Sequence, residues 1–199
     1  YAMVLRLYAF SCSQPFPLLW LDSLAERFEL SDDRQLLKTS WAKPVLAKVS
    51  FVLEGSLATL ERLIEKSASL GYETCHAALE ADEQILKDLL AALAEGDWEK
   101  LRQAFSSNSH ARMSFPRGMD EDEKEAAKRL FTLPRDRLKQ DLKRLKEKYF
   151  HSTEAEILDD LRALSSVAHV IVDLVKTFAA AFQAAKRERG IVDFNDLEH

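Results

Sequence analysis

Nine cations, Lys128, Arg129, Arg135, Arg137, Lys139, Lys143, Arg144, Lys146 and Lys148, share one stretch with only three acids, Asp136, Asp141 and Glu147. That stretch carries +6, so the remainder of a chain whose formal charge is -5 carries -11. The global charge gives no reason to expect nucleic acid, and any such surface must be local. On a helix, Arg135, Lys139, Lys143 and Lys146 form one row beside an apolar seam of Leu138, Leu142 and Leu145. Arg137, Arg144 and Lys148 form a second row on the opposite flank. A phosphate backbone fits along such a ridge, where contacts are sequence-independent. The plainer reading of the pattern alone is a solvated helix whose lysine stems cover apolar surface.

Other chemistry lacks its residues. A nucleotide-binding loop needs clustered glycines ending in Gly-Lys-Ser/Thr, and the 5 glycines here stand singly. The five histidines, His76, His110, His151, His169 and His199, show no His-x-x-x-His pair. Only His76 has a cysteine beside it, and adjacent residues diverge on a helix. Asp159-Asp160 and Asp120-Glu-Asp-Glu read as solvated helix faces and first-turn charges. No nucleophile elbow is present. The expectation is a chain with no catalytic, cofactor or metal residues and no small-molecule substrate.

The elements that position the basic stretch read as helices throughout. Gly and Pro number 5 each in 199 residues, which argues for long helices and few turns. Pro15 and Pro17 split an opening helix into 4–10 and 18–28, and Ser31-Asp-Asp suits the cap of a short helix over 35–39. The next helix runs over 44–69, with Gly55 a candidate kink, and another over 73–94. Gly96 stops that helix and Asp97 caps the next. Residues 106–119 lack both period and helix formers. From 120 to 150 the chain reads as helix again, kinked or split at Pro134. Thr153 and Glu156 then form a capping box for a helix reaching Gly190, with Ile157, Leu161, Leu164, Ala168, Ile171, Val175, Phe178 and Phe182 as its stripe.

The predicted fold is all-α: an irregular helical bundle with a long antiparallel hairpin in the C-terminal half. In it, Leu142 and Leu145 meet the 161–171 face. The organisation expected is an N-terminal helical subdomain (1–105), a loop (106–119), a basic hairpin (120–190) and a joining segment (191–199). Cys12 and Cys75 are too few for a disulfide framework, and Asp173 and Lys176 break the most apolar run. A reducing cytoplasm and no membrane are expected. The first residue is Tyr1 and the last seven read as a helix beginning, so the sequence looks like a piece of a longer protein.

The segment Ala185-Lys-Arg-Glu-Arg-Gly-Ile-Val-Asp-Phe-Asn-Asp-Leu-Glu-His resembles the part of UvrD/RecB-type DNA helicases that carries an Asp-Phe-x-Asp-Leu signature, most closely in AddA helicase-nucleases. In this chain the signature is Asp193, Phe194, Asp196 and Leu197. Leu7-Tyr-Ala-Phe-Ser-Cys-Ser-Gln-Pro-Phe-Pro-Leu-Leu-Trp-Leu and Phe115-Pro-Arg-Gly are similar to the same family. The resemblance implies the helical insertion 1B of the first motor domain, which helps hold DNA in double-strand-break repair and recombination. It also implies an AddB-type partner, with ATP, Mg2+ and the nuclease provided by other parts of the parent. The rival from another class is a helical scaffold or protein-interaction module.

Overall fold

The computed structural model describes residues 1–30 and 36–192, and every described element is helical. They are α1 (Ala2–Ser11), α2 (Pro17–Glu26), a 3-10 turn (Leu36–Lys38), α3 (Ala42–Ser69), α4 (Glu73–Glu95), α5 (Trp98–Ser106), α6 (Glu121–Ala127), a π-helical turn (Lys128–Thr132), α7 (Leu133–Tyr149) and α8 (Glu154–Arg189). The all-α class is what the sequence led us to expect. The Ser31-Asp-Asp cap lies outside the described residues.

Local chemistry sets several boundaries. Pro17 stands in the first turn of α2, where its missing N–H costs nothing. Gly96 ends α4 at φ +68°, a conformation that favours glycine, and Asp97 accepts the Lys100 N–H at 3.0 Å to open α5. Asp120 and Glu123 bond reciprocally to each other's backbone N–H, at 2.8 and 3.1 Å, and cap α6. Gly55 causes no break, because α3 runs continuously through it. Pro134 does not split the basic helix either. The turn before it widens into π geometry, which carries the helix past the proline ring and its missing donor.

The chain forms two compact units. The first combines Tyr1–Arg34 with Ala155–His199 and so contains α1, α2 and nearly all of α8. Its core joins Leu21 and Ala25 of α2 to Val172 and Val175 of α8, with Val4, Leu7, Tyr8 and Trp20 packed against them. Tyr8 meets Phe178 and Phe182 edge-on, and the Lys176 ammonium pairs with Asp22. By length and composition α8 would suffice to cross a bilayer, which the sequence reading did not foresee. Asp173 and Lys176 interrupt it, and only 11% of its most apolar 18-residue stretch is buried.

The second unit, Gln35–Glu154, holds α3 to α7. α3 and α4 turn back on each other through Gly71, at φ +68°, and bury Val49, Leu53 and Leu60 with Leu79, Leu86 and Leu89. Trp98, Phe105 and Phe150 form an aromatic cluster, with Phe105 and Phe150 stacked at 4.5 Å between centroids. Residues 107–120 carry no helix and lie within this unit, strapped over α4. Thr74 Oγ1 donates to the Ser114 carbonyl at 2.8 Å, and Cys75 Sγ meets Met113 Sδ at 3.6 Å.

One expectation is corrected here. Leu138, Leu142 and Leu145 are buried, and within the second unit α7 packs against α3 and α5, whereas α8 belongs to the first. Leu164, expected on the seam of α8, is 48% exposed. Periodicity reveals that a helix has an apolar face; it carries no information about which helix meets that face.

Candidate nucleic-acid interface

The basic row begins with a residue that has turned inward. Arg135 is 3% exposed and forms a buried ion pair with Asp82 of α4, which is 0% exposed. Its guanidinium also donates to Asp82 Oδ1 at 3.2 Å and to the Ala111 carbonyl at 2.6 Å, while His110 Nδ1 lies 2.8 Å from the same carboxylate. These contacts tie α7 to α4 and to the 107–120 strap. Arg135 is therefore removed from the phosphate-facing set proposed from sequence: it has no open path to a ligand, and its charge is already matched.

Its phase explains the difference. Arg135, Leu138, Leu142 and Leu145 are spaced three, four and three residues apart, the repeat of one buried face. Asp82 lies in the same way among Ala78, Leu79, Leu86 and Leu89 of α4. One acid and one base, each in apolar phase, constitute a sequence signal for a buried pair.

The other three members of the row lie at or near the surface. Lys139 and Lys146 are half-buried along the flank, and Lys143 is exposed, 3.7 Å from Glu147. Arg137, Arg144 and Lys148, the second row, are all exposed. Arg144 reaches Asp141 at 3.5 Å, and the Lys148 ammonium lies 5.2 Å from the Tyr149 ring centroid. Exposed pairs of this kind hold their partners weakly, so an arriving phosphate displaces the carboxylate at little cost. From Arg137 to Lys148 the ridge is about 16 Å long at ~1.5 Å per residue.

Arg137 also stands at the edge of a groove of about 820 Å³ between α3 and the start of α7. Gly55 and Thr59 line it, together with Leu133 and the strongly exposed Phe51 (72%). Sequence reasoning missed Phe51; the available signal was a large aromatic out of phase with Val49, Leu53 and Leu60 on the same helix.

His76 and His169 serve as local hydrogen-bonding groups. His76 Nδ1 lies 3.0 Å from the buried Ser67 hydroxyl, and His169 Nε2 lies 2.8 Å from Glu29. Among the described residues no group of three or more His, Cys, Asp or Glu could hold a metal ion. Asp193, Phe194, Asp196 and Leu197 lie outside the described residues.

These features define a two-unit helical module with a ridge of exposed basic side chains on one helix face. No protein-family model matches the sequence. Comparison with curated proteins finds it similar over 99% of its length to the AddA-type ATP-dependent helicase/nuclease of Acetivibrio thermocellus, at 34% identity. The corresponding proteins of Geobacillus kaustophilus and Heliobacterium modesticaldum are 35% identical over the same share of the chain. The chain spans about 16% of the length of the first two relatives and 15% of the third. Over nearly its whole length the chain thus matches one segment of AddA-type helicase/nuclease subunits, as a fragment of such a protein does.

Proposed function

We propose that this segment is the 1B insertion of an AddA-type DNA helicase/nuclease and that the outer face of α7 holds the phosphate backbone of DNA during double-strand-break processing. The single observation that carries the reading is the clustering of Arg137, Lys143, Arg144 and Lys148 on the exposed side of a helix fixed from behind by three buried leucines and the Arg135–Asp82 pair. A charged face on a rigid support positions DNA without reading its sequence, because phosphate contacts carry no base information. Lys139 and Lys146 extend their stems along the flank and add charge at its edge.

ATP and Mg2+ do not fit the described residues, which provide neither a glycine-rich phosphate loop nor a metal-binding cluster. In this reading the parent polypeptide binds them in other regions, and its partner is of the AddB type. The segment itself carries out no bond-making step.

The test uses the full-length parent. Reversing Lys139 and Lys143 to Glu is expected to lower DNA unwinding more than DNA-free ATP hydrolysis. If both rates stay at their original values, the α7 face is a solvated surface and the reading of the segment as a scaffold replaces this one.

A further inference from the structure

α8 is apolar on two sides. Val172 and Val175 are in the core of the first unit, whereas Val167, Val170 and Leu174 are 49%, 58% and 52% exposed. At 100° per residue these three fall within about 60° of one another, well away from the packed pair. Ala163, Thr177 and Ala181 extend the stripe in both directions, so it runs about 27 Å without a charged side chain. Phe10, Phe16 and Leu19 of the same unit are also more than half exposed. An exposed apolar stripe of this length, beside further exposed apolar side chains, marks an interface.

The occupant follows from the length of the relatives and from which unit holds the stripe. The matched segment is about 16% of a typical family member, so roughly five-sixths of such a polypeptide lies outside it. Both outer stretches of the segment, Tyr1–Arg34 and Ala155–His199, belong to the unit that carries α8. In a polypeptide of the relatives' length, flanking chain is tethered to this unit at high effective concentration, an advantage that a separate protein lacks. We infer that the Val167–Val170–Leu174 stripe is the seat on which an apolar face of the flanking AddA polypeptide packs, making the first unit the anchored base of the segment. This inference rests on the family reading above and not on DNA binding.

The test is thiol labelling of Val170→Cys in the isolated segment and in the full-length polypeptide, read peptide by peptide so that native cysteines do not interfere. Glu61→Cys, on the exposed side of α3, is the reference. In the isolated segment both positions are expected to label at comparable rates. In the full-length protein Val170→Cys should slow about tenfold or more while Glu61→Cys does not change. Equal labelling of Val170→Cys in both contexts overturns the inference. So does protection of the isolated segment that rises with its concentration, which assigns the stripe to a second copy. Protection of the full-length protein only after adding a separate partner protein, or phosphatidylcholine/phosphatidylglycerol vesicles, assigns it to those partners and also overturns it. Val170→Lys provides an independent readout: thermal stability unchanged in the isolated segment and lowered in the full-length protein. DNA affinity measured on the same samples separates failure of this inference from failure of the α7 reading.

Discussion

Removing one partner of the Arg135–Asp82 pair should be among the most damaging single changes in the second unit. Asp82→Ala leaves a 3%-exposed guanidinium with the Ala111 carbonyl as its remaining acceptor in this cluster. Breaking a buried pair from one side costs about 3–5 kcal/mol, a large part of the ~5–15 kcal/mol that holds a domain together. Arg135→Met should cost somewhat less, because His110 still faces the Asp82 carboxylate. Replacing both with leucine should restore most of the loss, since a well-packed apolar pair of similar size is often neutral relative to an ion pair. A two-unit chain need not unfold in one step, so the assay is hydrogen exchange on α4 and α7 peptides, which isolates the second unit. If the Asp82→Ala peptides exchange at the original rate, or if the double-leucine variant is as unstable as the single, the pair does not bear this load. Arg135→Met should also leave the salt dependence of DNA binding unchanged.

Leu145→Ala, at a position 6% exposed, should destabilise the second unit by about 2–5 kcal/mol, measured by the same exchange assay. Burial pushes the Cys75 thiol up to about 11, against the pull of Arg135, so alkylation at pH 8 should be negligible until urea opens the unit; rapid native labelling of Cys75 would contradict this. The Glu154 backbone N–H, 2.8 Å from Oε1, and then Arg102 hold the Glu99 carboxyl below its ordinary value of 4.5. Because the folded value is the lower one, its stabilisation is complete above 4.5 and fades as pH falls through the folded value. A Glu99→Gln chain should accordingly lose less stability between pH 5 and pH 3 than the original chain, in thermal melts followed by circular dichroism.

Elements whose limits depend on their own residues were legible in the sequence. Gly96 and Asp97 fix the α4–α5 junction, the acids from Asp120 fall in the first turn of α6 as read, and the stretch read as 106–119 for want of helix formers is non-helical over 107–120. Partnership was not legible, because the α7 seam is the same string of leucines whether α8 or α3 covers it. Arg135 was misplaced for a related reason. Charge suggested the surface row with Lys139 and Lys143, while spacing placed it in phase with Leu138 and Leu142, and a buried acid across the interface decided between them. Phe51 became conspicuous only once the groove beside Arg137 was visible.

The most direct measurement on the central claim is the salt dependence of DNA binding by the segment. Fluorescence anisotropy on a labelled oligonucleotide would compare the original chain with one in which Arg137, Lys143 and Arg144 are glutamine. The original chain, -5 overall, is expected to bind weakly and only at low salt. If the outer face of α7 holds phosphates, the glutamine chain should bind more weakly still, and its log K against log salt slope should be flatter by about 0.7–0.9 per lost contact, about two units or more in total. Identical affinities and slopes for the two chains would contradict the account.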